Sequence, residues 1–152
     1  MRKNQKSSKN FIYLISACLA GVNCRWDGTN SRNQKIIELV GKGRALLVCP
    51  EELGGLSTPR EKAYFFEGDG KDVIAGKGKV ITLSSKDITS QLLAGAKKTL
   101  KMAKKYKIKY AIMKKNSPSC GCGKIYIKGK LVKGDGVATV ILKRERIKII
   151  TQ

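Results

Sequence analysis

The chain has 152 residues and carries 32 lysines and arginines against 11 carboxylates, a formal charge of +21, with five cysteines and no histidine. This length suits one domain with its own core and leaves little room for a second. Without imidazole there is no Ser-His-Asp or Cys-His catalysis and no histidine-containing zinc, copper or haem site. Chemistry must rest on carboxylate, thiolate, hydroxyl, lysine or a cofactor.

Met1 to Asn10 is basic and polar and reads as a flexible tail, followed by a domain over residues 11–152. The apolar stretch after it is too short for a secretory signal, and the cysteine count is odd, so the expected compartment is the reducing cytoplasm. No apolar run approaches the roughly 18–20 residues that a membrane span requires. Phe11 to Ser16 is a buried strand by length and β-branching, and it runs into the small-residue loop Ala17 to Gly21. Asn30 or Ser31 is placed to cap a helix reaching Val40, with Gly41 or Gly43 as its stop. Ala45 to Val48 is a second strand, followed at once by Cys49-Pro50-Glu51.

Glu52 to Gly70, rich in Gly, Pro and Glu, predicts an irregular loop. Asp72 to Ala75 and Lys79 to Leu83 predict a small hairpin across Gly76-Lys77-Gly78. Asp87 caps the longest helix, to about Tyr106. Ile88, Leu92, Ala96, Leu100 and Ala103 share one face of it, and Lys97, Lys98, Lys101, Lys104 and Lys105 form the opposite, solvated face. Tyr110 to Met113 is a third strand and Ile125 to Val132 a second hairpin around Lys128-Gly129-Lys130. Asp135-Gly136 opens a helix through about Arg144, and Ile147 to Ile150 is the closing strand. Strands alternating with helices predict a single α/β domain whose small, largely parallel sheet is flanked by helices.

The positive field attracts polyanions and speeds encounter with anionic substrates. Of the 32 cations 25 are lysine, a loosely ordered point charge poorly suited to specific readout, and aromatic residues make up 6% of the chain. A platform for stacking single-stranded nucleic acid is therefore poorly supported by composition.

Cys18, Cys49 and Cys120 each lie within a few residues of the carboxyl end of a predicted strand. In an open parallel sheet those ends share one edge, where ligand crevices form, so the three cysteine loops should converge. None belongs to a C-x-x-C pair, which disfavours a zinc ribbon or a thioredoxin-type motif. Soft thiolates select zinc or iron–sulfur clusters, and three ligands leave one metal position open for a substrate. Cys122 forms a C-x-C with Cys120 and could replace it or add a ligand, and Cys24 lies near Cys18 on the same loop; the favoured reading of both is as spectators or neighbours of the ligands. Glu51, two residues beyond Cys49, is placed to act as a general base, and Ser117, three before Cys120, to hold or relay a water. Arg25, Arg60 and Ser119 are candidate contacts for a polar or phosphorylated substrate, with a local salt bridge an equal reading for the arginines.

Ser16-Ala-Cys-Leu-Ala-Gly21, Cys24-Arg-Trp-Asp-Gly28, Val48-Cys-Pro-Glu51 with Gly54-Gly-Leu56 and Thr58-Pro-Arg60, and Asn116-Ser-Pro-Ser-Cys-Gly121 together resemble the ordered signature of the thiouracil desulfidase family. Gly134-Asp-Gly-Val137 also fits, and the similarity runs from about Tyr13 to Ile150. The resemblance implies an oxygen-sensitive [4Fe-4S] cluster held by Cys18, Cys49 and Cys120 with one iron not bound by protein. It also implies Glu51 and Ser117 as a catalytic pair flanking a water. The implied reaction is non-redox removal of sulfur from a thiolated pyrimidine: 4-thiouracil, 4-thiouridine or 4-thio-UMP. Trp26 stands where the family pattern has tyrosine. Two rivals remain at this point: a desulfidase acting on thiolated tRNA, and a basic nucleic-acid-binding module whose thiols hold structural zinc.

Overall fold

The computed structural model describes residues 10–150, so the expected tail lies, but for Asn10, outside the described residues. The first half contains β1 (Tyr13–Ser16), a 3-10 turn (Ala17–Ala20), α1 (Gln34–Gly41), β2 (Ala45–Val48), α2 (Pro50–Leu53), β3 (Ala63–Glu67), α3 (Gly70–Ile74) and β4 (Lys79–Thr82). The second half contains α4 (Thr89–Lys105), β5 (Tyr110–Ile112), β6 (Lys124–Ile127), β7 (Lys130–Lys133), α5 (Val137–Arg144) and β8 (Lys148–Ile150).

β1, β2, β5 and β8 form a wholly parallel sheet in the order β2-β1-β5-β8. Both faces of such a sheet must be covered, and the strand residues divide accordingly. Leu14 and Ala111 join the cluster made with Leu92 and Ala96 of α4 and Leu142 of α5. Ile15 and Ile112 turn the other way, against Ile36 of α1. The chain leaves β1 toward β2 on one side and returns at β5 on the other, so β1 and β5 flank a topological switch point. Open α/β sheets hold their ligands at that place. The expected α/β domain with a parallel sheet flanked by helices is borne out.

A second, mixed sheet runs in the order β4-β3-β6-β7. Phe65, Val80 and Ile125 point from it into the core, while Tyr64, Phe66, Tyr126 and Leu131 lie on its other side, half-buried or exposed. The β6-β7 hairpin forms as expected, with Lys128 and Gly129 at φ 50° and 81°, the left-handed pair that a tight hairpin turn requires. The segment 52–70 is not all loop, because it holds β3. That strand pairs with β6 through Phe65 and Ile127, a partner far along the chain that local composition does not reveal. Nor is Asp72 to Ala75 a strand. Asp69 caps a helical turn there, accepting from the Lys71 and Asp72 N–H groups while Asp72 returns a bond to the Asp69 N–H.

Two helix starts lie further along than expected. Asn33 caps α1, its Oδ1 accepting from Lys35 and Ile36. Ser31 is instead drawn back to the 3-10 turn by a bond from its N–H to the Cys18 carbonyl. α4 begins at Thr89, whose N–H donates to Asp87 Oδ1 at 2.9 Å.

The segment carrying Cys49 and Glu51 is seated on α4 by backbone contact. A Cβ on Gly95 would lie 1.8 Å from the Pro50 carbonyl oxygen, and one on Gly54 would lie 2.0 Å from that of Gln91. Gly95→Ala should therefore force the two backbones apart, costing about 2–3 kcal/mol and lowering Tm by roughly 5–10 °C. Gly41→Ala, with open space around the new methyl group, should be neutral or slightly stabilising. Thermal melts of both variants test the assignment.

Candidate functional site

Three loops meet at the switch point. Cys18 sits in the 3-10 turn after β1, a turn ended by Gly21 at φ 94°. Cys49 follows β2 and precedes α2, whose first turn opens with Pro50. Cys120 is on the loop after β5, and α5 clasps that loop. The Val137 N–H donates to the Pro118 carbonyl at 2.8 Å, the Ala138 N–H to Ser119 at 2.9 Å and Thr139 Oγ1 to Cys120 at 2.8 Å. Helix-start N–H groups that lack an intrahelical partner thus fix the Ser117–Cys120 turn. A Cβ on Gly136 would lie 2.6 Å from the Ser119 carbonyl, which explains the glycine immediately before this helix.

The loops border a cavity of about 860 Å³. Cys18, Cys49, Cys120, Glu51, Ser117, Ser119, Arg25 and Arg60 all line it. Cys24 also faces it, whereas Cys122 is not among its lining residues.

A chain of polar contacts links the loops. Arg60 Nε donates to Glu51 Oε1 at 2.9 Å, and both side chains are largely buried, at 10% and 13% exposure. The other arms of Arg60 reach the Cys24 carbonyl at 2.8 Å and Thr58 Oγ1 at 2.7 Å. The Ser119 hydroxyl donates to Glu51 Oε2 at 2.9 Å and lies 3.7 Å from Cys120 Sγ. Ser117 stands one hydroxyl further away, 3.5 Å from Ser119, and its Oγ accepts the Cys120 N–H at 2.8 Å. Of the two readings of Arg60, the salt bridge is the contact present. Arg25 has no carboxylate within ion-pair distance among the described residues. It faces Lys114, whose ammonium is pushed below the usual lysine range by burial and by the Arg25 charge.

The thiols differ in acidity. A hydrogen bond from Cys24 favours the Cys18 thiolate over the opposing effect of burial, so the Cys18 pKa is lowered. As the donor, Cys24 is pushed up to about 12. Cys49 is raised by its own bond to Cys24 and by burial, and burial raises Cys120 to about 11. Among the described residues, no three Cys, Asp or Glu side chains gather closely enough to hold one metal ion.

The far wall of the cavity comes from the second sheet, with Tyr64, Phe66, Tyr126 and Lys128, together with Lys62. The sequence left these residues out because it offered no strand at 63–67, and so no partner that would bring the Ile125–Val132 hairpin to the cavity. The available signal was the run of three strand-favouring aromatic residues, Tyr64-Phe65-Phe66.

Fold and site define a class: a small α/β protein with cysteines, a carboxylate and paired serines around a crevice at the switch point of a parallel sheet. The chain belongs to the 2-thiouracil desulfurase family, whose pattern matches residues 13–152, as the resemblance of its motifs implied. It is 43% identical over 144 residues to the uncharacterized protein YbbK of Bacillus subtilis (strain 168), with 93% of this chain and 95% of that one covered. It is also similar to the solved structure of the [4Fe-4S]-dependent thiouracil desulfidase TudS, at a TM-score of 0.81 and 34% identity over 93% of this chain and 91% of that one. Among the described residues no helix is long and apolar enough to cross a membrane.

Removing the guanidinium in Arg60→Met strands a largely buried carboxylate and should cost about 3 kcal/mol. Lys104→Met breaks the exposed pair with Glu145 and should change stability by less than about 1 kcal/mol; denaturant melts compare the two. In the metal-free protein, Cys24→Ala removes the donor to Cys18. The first thiolate formed as pH rises should then appear at higher pH than in the unsubstituted chain, as read by thiolate ultraviolet absorbance.

Proposed function

We propose that this protein is an iron–sulfur-dependent desulfidase that replaces the thiocarbonyl sulfur of a thiolated uracil compound with oxygen, without net electron transfer. Supporting this most directly, Cys18, Cys49 and Cys120 come from three separate segments and line one cavity with Glu51. The [4Fe-4S] dependence named for TudS points the same way. The donor set fits such a group. Thiolates are the preferred ligands of iron–sulfur clusters, and Cys18, Cys49 and Cys120 approach the one cavity from three separate loops.

Cys18, Cys49 and Cys120 would hold the cluster, leaving one iron without a protein ligand. When bound, the cluster supplies a Lewis acid that polarises the carbon–sulfur bond of the thione. Glu51 takes a proton from a water molecule, and the water oxygen attacks the ring carbon. Attack forms a C–O bond and moves the C–S π pair onto sulfur; the remaining C–S bond then breaks with its pair leaving on sulfur while the oxygen gives up its second proton and closes the C=O bond. Of water's two protons, one ends on sulfur as hydrosulfide and the other passes through Glu51 to solvent. No electron is gained or lost.

Arg60 and Ser119 each occupy one lone-pair direction of a separate Glu51 oxygen, so each oxygen keeps room for a further donor. The carboxylate is aimed but still open to water. Ser117, beside Ser119, is placed to hold that water. Arg25 and Lys114 suit an anionic group on the substrate, as in 4-thio-UMP.

Anaerobic reconstitution should load about four irons with labile sulfide, and the loaded protein should release hydrosulfide from 4-thiouracil, its nucleoside or its monophosphate. Cys18→Ala, Cys49→Ala and Cys120→Ala should each lose the visible cluster absorbance. Glu51→Gln should keep it but lose turnover by about 100-fold or more. Full turnover in Glu51→Gln removes that residue from the mechanism, and one zinc without sulfide would favour a structural-zinc module instead.

A further inference from the structure

Ser16 is the last residue of β1, where the chain turns toward Cys18. The ladder between β1 and β5 ends just before it, at the pairing of Ile15 with Ile112. Beyond that point the Lys114 N–H donates to the Ser16 hydroxyl oxygen at 2.8 Å, so a side chain takes over from the backbone acceptors. This contact uses a lone pair of Ser16 and leaves its proton to be placed, since a hydroxyl has one donor site and two acceptor sites. Ser16 is buried at the floor of the cysteine cavity, at 2% exposure, so bulk water is not the acceptor.

Two buried sulfurs are within reach of that proton. Met113 Sδ lies 3.9 Å from the Ser16 hydroxyl, and Cys120 Sγ also accepts from it, a bond that opposes the effect of burial on the thiol. A thioether is a weak acceptor, whereas a thiolate is charged and takes the stronger bond. Other hydroxyls stand near Cys120, but their protons are committed. Ser119, 3.7 Å from the sulfur, gives its single proton to Glu51 Oε2 at 2.9 Å. Ser117 accepts the Cys120 N–H and has Ser119 as its acceptor, and Thr139 bonds the Cys120 carbonyl. Among the described residues Ser16 is therefore the hydroxyl whose proton is free for this sulfur, in a site where a hydrogen bond is stronger than in water.

We propose that Ser16 is a positioning residue that donates its hydroxyl proton to the Cys120 sulfur when that thiolate holds an iron–sulfur cluster, drawing negative charge off the sulfur and raising the cluster's reduction potential. The inference rests on the desulfidase reading for the presence of the cluster. It gives the serine that opens Ser16-Ala-Cys18 a part in the site besides joining β1 to β5. The potential rises because the reduced state carries more negative charge and so gains more from the donor. Density drawn from Cys120 also leaves the irons better electron-pair acceptors for a thione sulfur, which favours Lewis-acid chemistry.

The test is an anaerobic potentiometric titration of the full, reconstituted chain, followed by visible absorbance and by electron paramagnetic resonance of the reduced cluster. Ser16→Ala should keep about four irons and shift the potential to a more negative value. Ser16→Thr, which retains a hydroxyl, should bring it back toward that of the unsubstituted chain. Met113→Leu, which removes the competing acceptor, should leave it nearly unchanged. Thermal melts of the metal-free proteins measure the link between β1 and β5 separately: a role confined to accepting the Lys114 N–H lowers Tm in Ser16→Ala without moving the potential. That result overturns the proposal, as does a Met113→Leu shift as large as that of Ser16→Ala. Iron lost from Ser16→Ala and regained in Ser16→Thr supports the bond through cluster retention, whereas iron lost from both overturns it. An unsubstituted chain that holds no cluster sinks the desulfidase reading and this proposal together, but a normal cluster indifferent to Ser16 sinks this proposal alone.

Discussion

The Arg60–Glu51 pair is the contact on which the site geometry depends. Glu51 belongs to the segment after Cys49, and Arg60 reaches from the next loop to the carbonyl of Cys24. Ser119, beside Cys120, closes the chain on the other carboxylate oxygen. One ion pair and two hydrogen bonds thus tie together the loops that carry the cysteines. Both charged side chains are largely buried, and for such a pair the cost of losing one partner exceeds the net worth of keeping both. This makes the pair a device for holding geometry more than a source of stability.

Around it, close backbone approaches replace side-chain packing. Gly54 against Gly95 seats the Cys49 segment on the long helix, and Gly136 lets α5 press its first turn onto the Ser117–Cys120 loop. Glycine is needed at these positions because a neighbouring carbonyl occupies the space of a Cβ. The same motif residues that mark the family therefore include positions serving the backbone as well as chemistry.

Charge is organised unevenly. The long helix exposes lysines at Lys97, Lys98 and Lys101, as expected of a solvated face. At the cavity, cations outnumber carboxylates and lie beside exposed rings. The whole-chain charge of +21 does not distinguish these two arrangements, yet only the second has the form of a binding surface.

Local signals in the sequence determined the parallel α/β core, its long amphipathic helix and the placing of Cys18, Cys49 and Cys120 after strands. Apolar runs, periodicity and glycine stops act over a few residues and are legible in order. The four motifs were legible for the same reason. β3, the open face of the second sheet and the bond from Cys24 to Cys18 were not. β3 exists because Phe65 meets Ile127, and Cys24 acts on Cys18 because the loop folds back on itself. Ser119 rather than Ser117 meets Glu51 because α5 fixes the turn between them. Those outcomes depend on contacts between distant segments, which only the tertiary structure brings within hydrogen-bonding or packing distance.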